Sequence, residues 1–157
     1  MTLTEKRRLK YPDTLTFHYH NANPKNKITT DCVIRALAAG QDIPYEQVVM
    51  ELAELQIKTG LDSRDTPGID KYLKSKGWIK APQQRKEDGT LYTASEFCRK
   101  LAHPIYSEEL NLPPCYITRM VANVGGHHCV AIVEQQVYDT WNSSDGKLHS
   151  LWVKPVA

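Results

Sequence analysis

The residues that could do chemistry fall in two stretches of the sequence, and the first is "TTDCVIRALAAG" at residues 29–40. Its Thr-Thr-Asp opening consists of residue types that cap helix N-termini, apolar residues then recur at helical spacing, and Gly40 supplies a stop. We therefore expect a buried helix that begins at or next to Cys32, where unpaired backbone N–H groups and the helix macrodipole favour a thiolate. Cys32 is thus a candidate nucleophile. The alternative is a small buried residue that only packs, as free cysteines commonly do.

The second stretch, "HHCVAIVEQQVYDTWN" at residues 127–142, carries a base and an acid at the two ends of an apolar hairpin. A cysteine nucleophile needs an imidazole beside its thiolate, and that imidazole needs an acceptor on its other nitrogen. A turn near residues 133–136 would bring His128 and Asp139 opposite or nearly opposite each other, provided that the register places them on one face. A later turn would make Asn142 the orienting residue instead.

The elements that must position these residues follow one another along the chain. Apolar spacing and caps predict helices within residues 31–40, 43–60, 66–77 and 93–102. From Pro113 onward the period falls to two or to continuous apolar runs, which predicts four antiparallel strands within 115–121, 127–133, 136–142 and 151–156. Helices first and strands last predict one α+β domain over residues 1–157, with its N-terminal helices packed on a C-terminal antiparallel sheet. Residues 1–28 are polar and turn-rich, and we expect an irregular segment there.

The composition of the chain bears on whether it binds nucleic acid or membranes and on the compartment in which it works. The chain carries 20 Lys and Arg against 18 Asp and Glu, a formal charge of +2, and only "EKRRLK" near the start is locally basic. We therefore expect no nucleic-acid partner. No apolar stretch approaches the ~20 residues that cross a bilayer, and no secretory signal is recognisable, so we expect a cytoplasmic protein without a membrane partner. The scattered Cys32, Cys98, Cys115 and Cys129 are expected to be free thiols.

The histidines and charged residues in these two stretches could bind a metal or a substrate, but we interpret them as structural apart from His128 and Asp139. Adjacent residues of a strand point to opposite faces, so His127 and His128 should not converge on a metal, and we expect neither a metal nor another cofactor. Arg35 lies one helical turn after Cys32, and we interpret it as the partner of an acid; holding a substrate carboxylate is the alternative. Asp31 is interpreted as a helix cap.

These motifs carry a resemblance to a known family. The sequence "HCVAIV" followed by "YDTW" resembles the base strand and the orienting strand of papain-like cysteine hydrolases, and "DCVIRALAAG" resembles their nucleophile helix. The chain is also similar to a group of small phage and bacterial proteins with the same "NP…DCVIRA" opening and "YDTW" ending. The resemblance extends from about residue 20 to the end. It implies a papain-like fold in which Cys32 is the nucleophile, His128 the base, Asp139 the orienting residue and Trp141 a shield over the pair.

The resemblance further implies an oxyanion hole and an activity. Six residues before the nucleophile, where the family usually has Gln, this sequence has Asn26, whose amide can donate the same bond through a shorter arm. The backbone N–H of Cys32 would be the second donor. The implied reaction is thiolate attack on an amide, isopeptide or thioester carbonyl of a protein or peptide substrate, through an acyl-enzyme that passes to water or an amine. The alternative is a non-catalytic papain-like module, such as a phage-encoded inhibitor of a host protein. The complete Cys, His and Asp set favours the enzyme.

Overall fold

Five helices and a seven-stranded mixed sheet make up the part of the chain that the computed structural model describes, which is residues 1–62, 64–101, 105–106, 110, 112 and 116–156. The helices are α1 (Leu3–Lys10), α2 (Cys32–Gln41), α3 (Tyr45–Thr59), α4 (Thr66–Ser75) and α5 (Ala94–Lys100). The strands are β1 (Phe17–Tyr19), β2 (Ile79–Lys80), β3 (Ile105–Tyr106), β4 (Tyr116–Val124), β5 (His128–Val133), β6 (Gln136–Asp139) and β7 (Leu148–Val156). The predicted α+β class is therefore confirmed.

The centre of the sheet consists of the four C-terminal strands. The sheet order is β1-β6-β5-β4-β7-β2, with β3 paired to β4 off this path. Strand β4 pairs antiparallel with β5 and β7, and β5 pairs antiparallel with β6, as predicted. The sheet as a whole is mixed because β1 adds to β6 in parallel. The added strands β1, β2 and β3 are too short to give a period-two signal of their own.

The N-terminal segment is more regular than we predicted for residues 1–28. The side chain of Thr2 accepts a hydrogen bond from the Glu5 N–H, and the Glu5 carboxylate accepts one from the Thr2 N–H, which forms a capping box for α1. Helix α1 has no buried residue, so the sequence shows no apolar stripe there. Strand β1 depends on pairing with β6, far along the chain, and local sequence does not reveal such a partner.

The helices α2, α3 and α4 cover one face of the sheet, where Leu37, Leu52 and Leu73 pack with Trp152. The other face packs against α5. We predicted that α2 ends at Gly40, but the helix continues to Gln41. A Cβ atom at Gly40 would lie 2.7 Å from the Cγ2 atom of the buried Val121, so this glycine lets α2 approach the sheet closely.

The structure gives the state of three of the four thiols and the character of the described helices. The thiols of Cys32, Cys98 and Cys129 are free, as predicted. Cys115, for which we made the same prediction, lies outside the described residues. Among the helices of the described residues, none combines the length and the apolar character needed to span a bilayer.

Candidate active site

A tight turn joins the two strands that carry the base and the acid. Val133 pairs with Gln136, so the turn consists of Glu134 and Gln135, within the predicted 133–136. Both turn residues have positive φ, 48° and 67°, which is the pattern of a type I′ hairpin turn. Such turns usually contain Asn, Asp or Gly, and for this reason the residue types did not indicate the turn type.

The hairpin register brings His128, Asp139 and Trp141 together. Continuing the pairing beyond Ala131 and Tyr138 places Trp141 opposite His128, with Asp139 as a diagonal neighbour on the same face. The imidazole of His128 donates from Nε2 to Oδ2 of Asp139 over 2.5 Å, which confirms that the two meet. The Trp141 ring lies 5.0 Å from the imidazole, centroid to centroid. Because Trp141 is itself 41% exposed, it covers the imidazole on one side only.

The alternative orienting residue, Asn142, has a different role. Its Oδ1 accepts hydrogen bonds from the backbone N–H and the hydroxyl of Ser144, in the loop after β6. The structure therefore pairs His128 with Asp139 rather than with Asn142.

Helix α2 begins at Cys32, as predicted, and directs its thiol at the hairpin. The half-buried thiol lies beside the imidazole of His128, and the interaction between them lowers the pKa of the thiol and raises that of the imidazole. Since Nε2 of that imidazole is bonded to Asp139, Nδ1 is the nitrogen left to face the thiol. The backbone N–H of Cys129 also faces the sulfur and contributes to the lowered pKa of the thiol. This N–H is available because β6 ends at Asp139, before it could pair with the first residues of β5.

The surroundings of Cys32 favour its thiolate. Burial alone would raise the pKa of this thiol, but the hydrogen bonds from His128 and from the Cys129 amide lower it below its ordinary value. Burial would likewise lower the pKa of His128, yet its hydrogen bonds to Asp139 and Cys32 raise it to about 9. By contrast, burial raises the pKa of Cys98 to about 12 and also raises the pKa of Cys129. Among the described thiols, Cys32 is therefore the one whose surroundings favour the thiolate, which is the nucleophilic form of cysteine.

The carboxylate of Asp139 is completely buried and has a hydrogen-bond donor on every side. Oδ1 accepts from the Arg35 guanidinium over 2.9 Å and from the Thr140 N–H over 2.7 Å. Oδ2 accepts from the Ser143 hydroxyl over 2.5 Å, in addition to the His128 imidazole. Burial would raise the pKa of Asp139, but the hydrogen bonds, that from His128 foremost, lower it. The group is thus an ionised carboxylate that fixes the orientation of the imidazole.

Three residues around Asp139 extend the set that the sequence indicated. Arg35 pairs with acids, as we interpreted it: its Nε donates to Oδ1 of Asp31 over 2.8 Å, besides its bond to Asp139. Asp31 stands at the N-cap position of α2 but its side chain makes no capping hydrogen bond, contrary to our interpretation. Ser143 was missed, and its place four residues after Asp139, in the turn-rich "NSSDG", was the available signal.

The thiol opens onto a cleft with a volume of about 390 Å³. Thr29, Thr30 and Val33 line it on the side of α2, and His127 and Trp141 line it on the side of the hairpin. A second cavity of about 210 Å³ shares His127, His128 and Trp141 with the first, so the two cavities adjoin at His128. His127 is exposed at this junction.

The two donors predicted for an oxyanion hole, the Cys32 N–H and Asn26, lie in different surroundings. The first N–H groups of α2, beginning with that of Cys32, have no partner within the helix and receive no side-chain cap from Asp31. Asn26 does not line the cleft; it is exposed, with a positive φ of 53°, in the loop before α2. The six-residue spacing therefore does not bring the amide of Asn26 to the thiol.

Metal ligation is a separate question from thiol chemistry. Within the described part of the chain, no group of three or more His, Cys, Asp or Glu side chains is arranged to hold a metal ion. The residues that converge at α2 and the β5–β6 hairpin instead place a thiol, an imidazole and a carboxylate next to one another.

Comparison of the chain with protein-family models, curated proteins and solved structures found no match.

Proposed function

We propose that this protein is a papain-like cysteine hydrolase that cleaves an amide, isopeptide or thioester bond in a protein or peptide substrate. One observation carries the proposal: the His128 imidazole lies between the Cys32 thiol and the buried Asp139 carboxylate, to which it is hydrogen-bonded. A helix that starts at the nucleophile and an antiparallel hairpin that holds base and acid support the papain-like assignment. A reactive thiol functions only when reduced, so we also propose the cytoplasm as its compartment.

The reaction would proceed in two stages. The Cys32 thiolate attacks the substrate carbonyl carbon, and the N–H groups at the start of α2 stabilise the oxyanion that forms. The His128 imidazolium then gives its proton to the leaving nitrogen or sulfur, the C–N or C–S bond breaks, and an acyl-enzyme remains on Cys32. In the second stage neutral His128 takes a proton from water, the hydroxide attacks the acyl carbon, and the thiolate leaves. An amine in place of water would give acyl transfer.

The pH dependence of Cys32 alkylation tests the assembled pair without a known substrate. Iodoacetamide modification, followed on the Cys32 peptide by mass spectrometry, should show a thiolate that persists below about pH 6. His128→Ala should return the pKa of Cys32 towards about 8.5, since the macrodipole alone favours the thiolate by under ~1 kcal/mol. His149→Ala removes an exposed histidine on β7 and is the matched control, expected to titrate like the wild type. A wild-type thiol that titrates near 8.5 would refute the hydrolase.

Acyl-enzyme formation separates the enzyme from the non-catalytic alternative. We expect p-nitrophenyl acetate to acetylate Cys32 rapidly and the acetyl group to be released with time. Cys32→Ala should form no adduct at this position and no product beyond the background rate. His128→Ala should lose turnover as completely, since the two residues act as a unit. If Cys32→Ala processes a substrate as fast as the wild type, the protein is instead a binding module, such as an inhibitor of a host protein.

A further inference from the structure

Arg35 lies next to the proposed catalytic residues but has no part in the reaction steps above. Its side chain is buried and uses two different nitrogens, Nε for Asp31 over 2.8 Å and Nη1 for Asp139 over 2.9 Å. With the thiolate and imidazolium formed, charges alternate in one line from Cys32 through His128, Asp139 and Arg35 to Asp31. Each charge in this line lies next to opposite charges only, which is how buried ions are tolerated.

The outer end of this line is fixed in place. Oδ2 of Asp31 accepts a hydrogen bond from the Tyr45 hydroxyl of α3 over 2.7 Å and one from the Asn23 amide over 3.2 Å. Burial would raise the pKa of Asp31, but its bonds to Tyr45 and Arg35 lower it. Asp31 is therefore an ionised anchor for the guanidinium, held from α3 and from the loop before α2.

We propose that Arg35, anchored by Asp31, is a positioning residue that holds Asp139 with Oδ2 towards His128 and thereby extends the Cys32 thiolate to lower pH. This inference rests on the proposed function. A carboxylate can rotate about its last side-chain bond, and the bonds of Oδ1 to Arg35 and to the Thr140 N–H prevent that rotation. Because Arg35 and Cys32 lie one turn apart on α2, the helix that carries the nucleophile also holds the acid.

The groups around Cys32 and Arg35 determine the sign of the effect. Cys32 faces the charges of His128 and Arg35 and the thiol of Cys129, which burial keeps protonated. Arg35 faces Asp31, Asp139, Tyr45 and His20 from its own helix, β6, α3 and the end of β1. Loss of the guanidinium removes a positive charge near the thiolate and releases Asp139 from its orientation. Both changes disfavour the thiolate. The acid limb, which is the pH range over which Cys32 alkylation rises as the thiolate forms, should therefore move to higher pH.

The test is iodoacetamide alkylation of the Cys32 peptide as a function of pH in Arg35→Met and Arg35→Lys, with circular dichroism as the check of folding. In Arg35→Met the midpoint of the acid limb should rise by at least about half a pH unit. Arg35→Lys should lie between Arg35→Met and the wild type, because an ammonium keeps the charge but lacks the planar fork that joins two carboxylates. Arg99→Met, which removes an exposed arginine of α5, is the matched control and should leave the limb in place.

A purely structural role would lower stability without moving the limb. A folded Arg35→Met variant with a wild-type midpoint overturns the inference. If Arg35→Met does not fold, Arg35→Lys decides: a raised midpoint supports positioning by the fork, and an unchanged midpoint overturns it. Failure of the proposed function looks different, because the wild type itself would then titrate near the ~8.5 of an ordinary thiol.

Discussion

Substitution of Asp139 by Asn tests the orienting carboxylate most directly, because the two side chains have the same shape. The groups around the carboxylate are all donors: Arg35 and the Thr140 N–H at Oδ1, and His128 and Ser143 at Oδ2. An amide offers one oxygen and one NH2 group. Whichever way Asn turns, one of the two pairs of donors loses its acceptor oxygen to the NH2 group, and the negative charge between His128 and Arg35 is lost.

The size of the effect follows from the pKa of His128. Its value of about 9, against an ordinary 6.5, corresponds to about 3 kcal/mol of preferential interaction with the imidazolium. Asp139 contributes more of this than Cys32 does, and we assign it about 2 kcal/mol. In Asp139→Asn the pKa of His128 should then fall to about 7.5, so the ratio of imidazolium to neutral imidazole at a given pH should fall about thirtyfold. The free energy of unfolding at pH 7 should fall by about 3 kcal/mol, because buried donors lose their acceptor.

An NMR titration of the His128 ring and urea unfolding at pH 7 measure these two quantities. The variant should keep partial activity, since it impairs the orientation of the base but leaves nucleophile and base in place. Ser143→Ala is the matched control: it removes one donor to Asp139 but keeps the charge, so the pKa of His128 should stay close to 9 and the stability loss should be about 1 to 2 kcal/mol. A pKa of His128 that is unchanged in Asp139→Asn would refute the assignment of Asp139.

Two further predictions concern stability. Between pH 6.5 and about 8.5 the Cys32–His128 pair holds one proton in both states, on His128 in the folded protein and on Cys32 in the unfolded chain. In the wild type this pair therefore does not make the free energy of unfolding depend on pH in that range. Cys32→Ala keeps the raised pKa of His128 next to Asp139, so urea unfolding should show its stability falling as pH rises through this range; a level profile would contradict the pairing. Gly40→Ala should destabilise by about 1 to 3 kcal/mol despite a better helix propensity, because the Cβ meets Val121 at 2.7 Å; a rise in melting temperature would contradict this packing.

The parts of the site that the sequence predicted are those encoded by local periodicity. The start of α2 at Cys32 follows from cap residues and an apolar stripe within ten residues. The meeting of His128 with Asp139 follows from a period of two and a short turn. Both signals are independent of the rest of the chain, and this is why a single sequence reveals them.

The parts that the sequence did not predict depend on contacts with residues distant in sequence, or on which of several nearby groups a side chain bonds. Strand β1 is three residues long and exists as a strand because β6 offers a free edge. Asp31 is a good capping residue in isolation, but the buried guanidinium of Arg35 takes its carboxylate instead. The fixed distance of Asn26 from Cys32 in sequence did not determine the path of the loop between them, which turns at Asn26 through a positive φ.

The spacing within the two motifs now has a physical explanation. Cys32 and Arg35 are three residues apart, and Asp31 and Arg35 four, so one side of α2 carries the thiol, the guanidinium and its anchor. Asp139 and Trp141 are two residues apart, so carboxylate and indole reach the same side of the hairpin and both contact His128. A helix period and a strand period therefore converge on the imidazole, and the Arg35 to Asp139 ion pair joins them. The acid of the second motif is held by the helix of the first, which makes "DCVIR" and "YDTW" a single site.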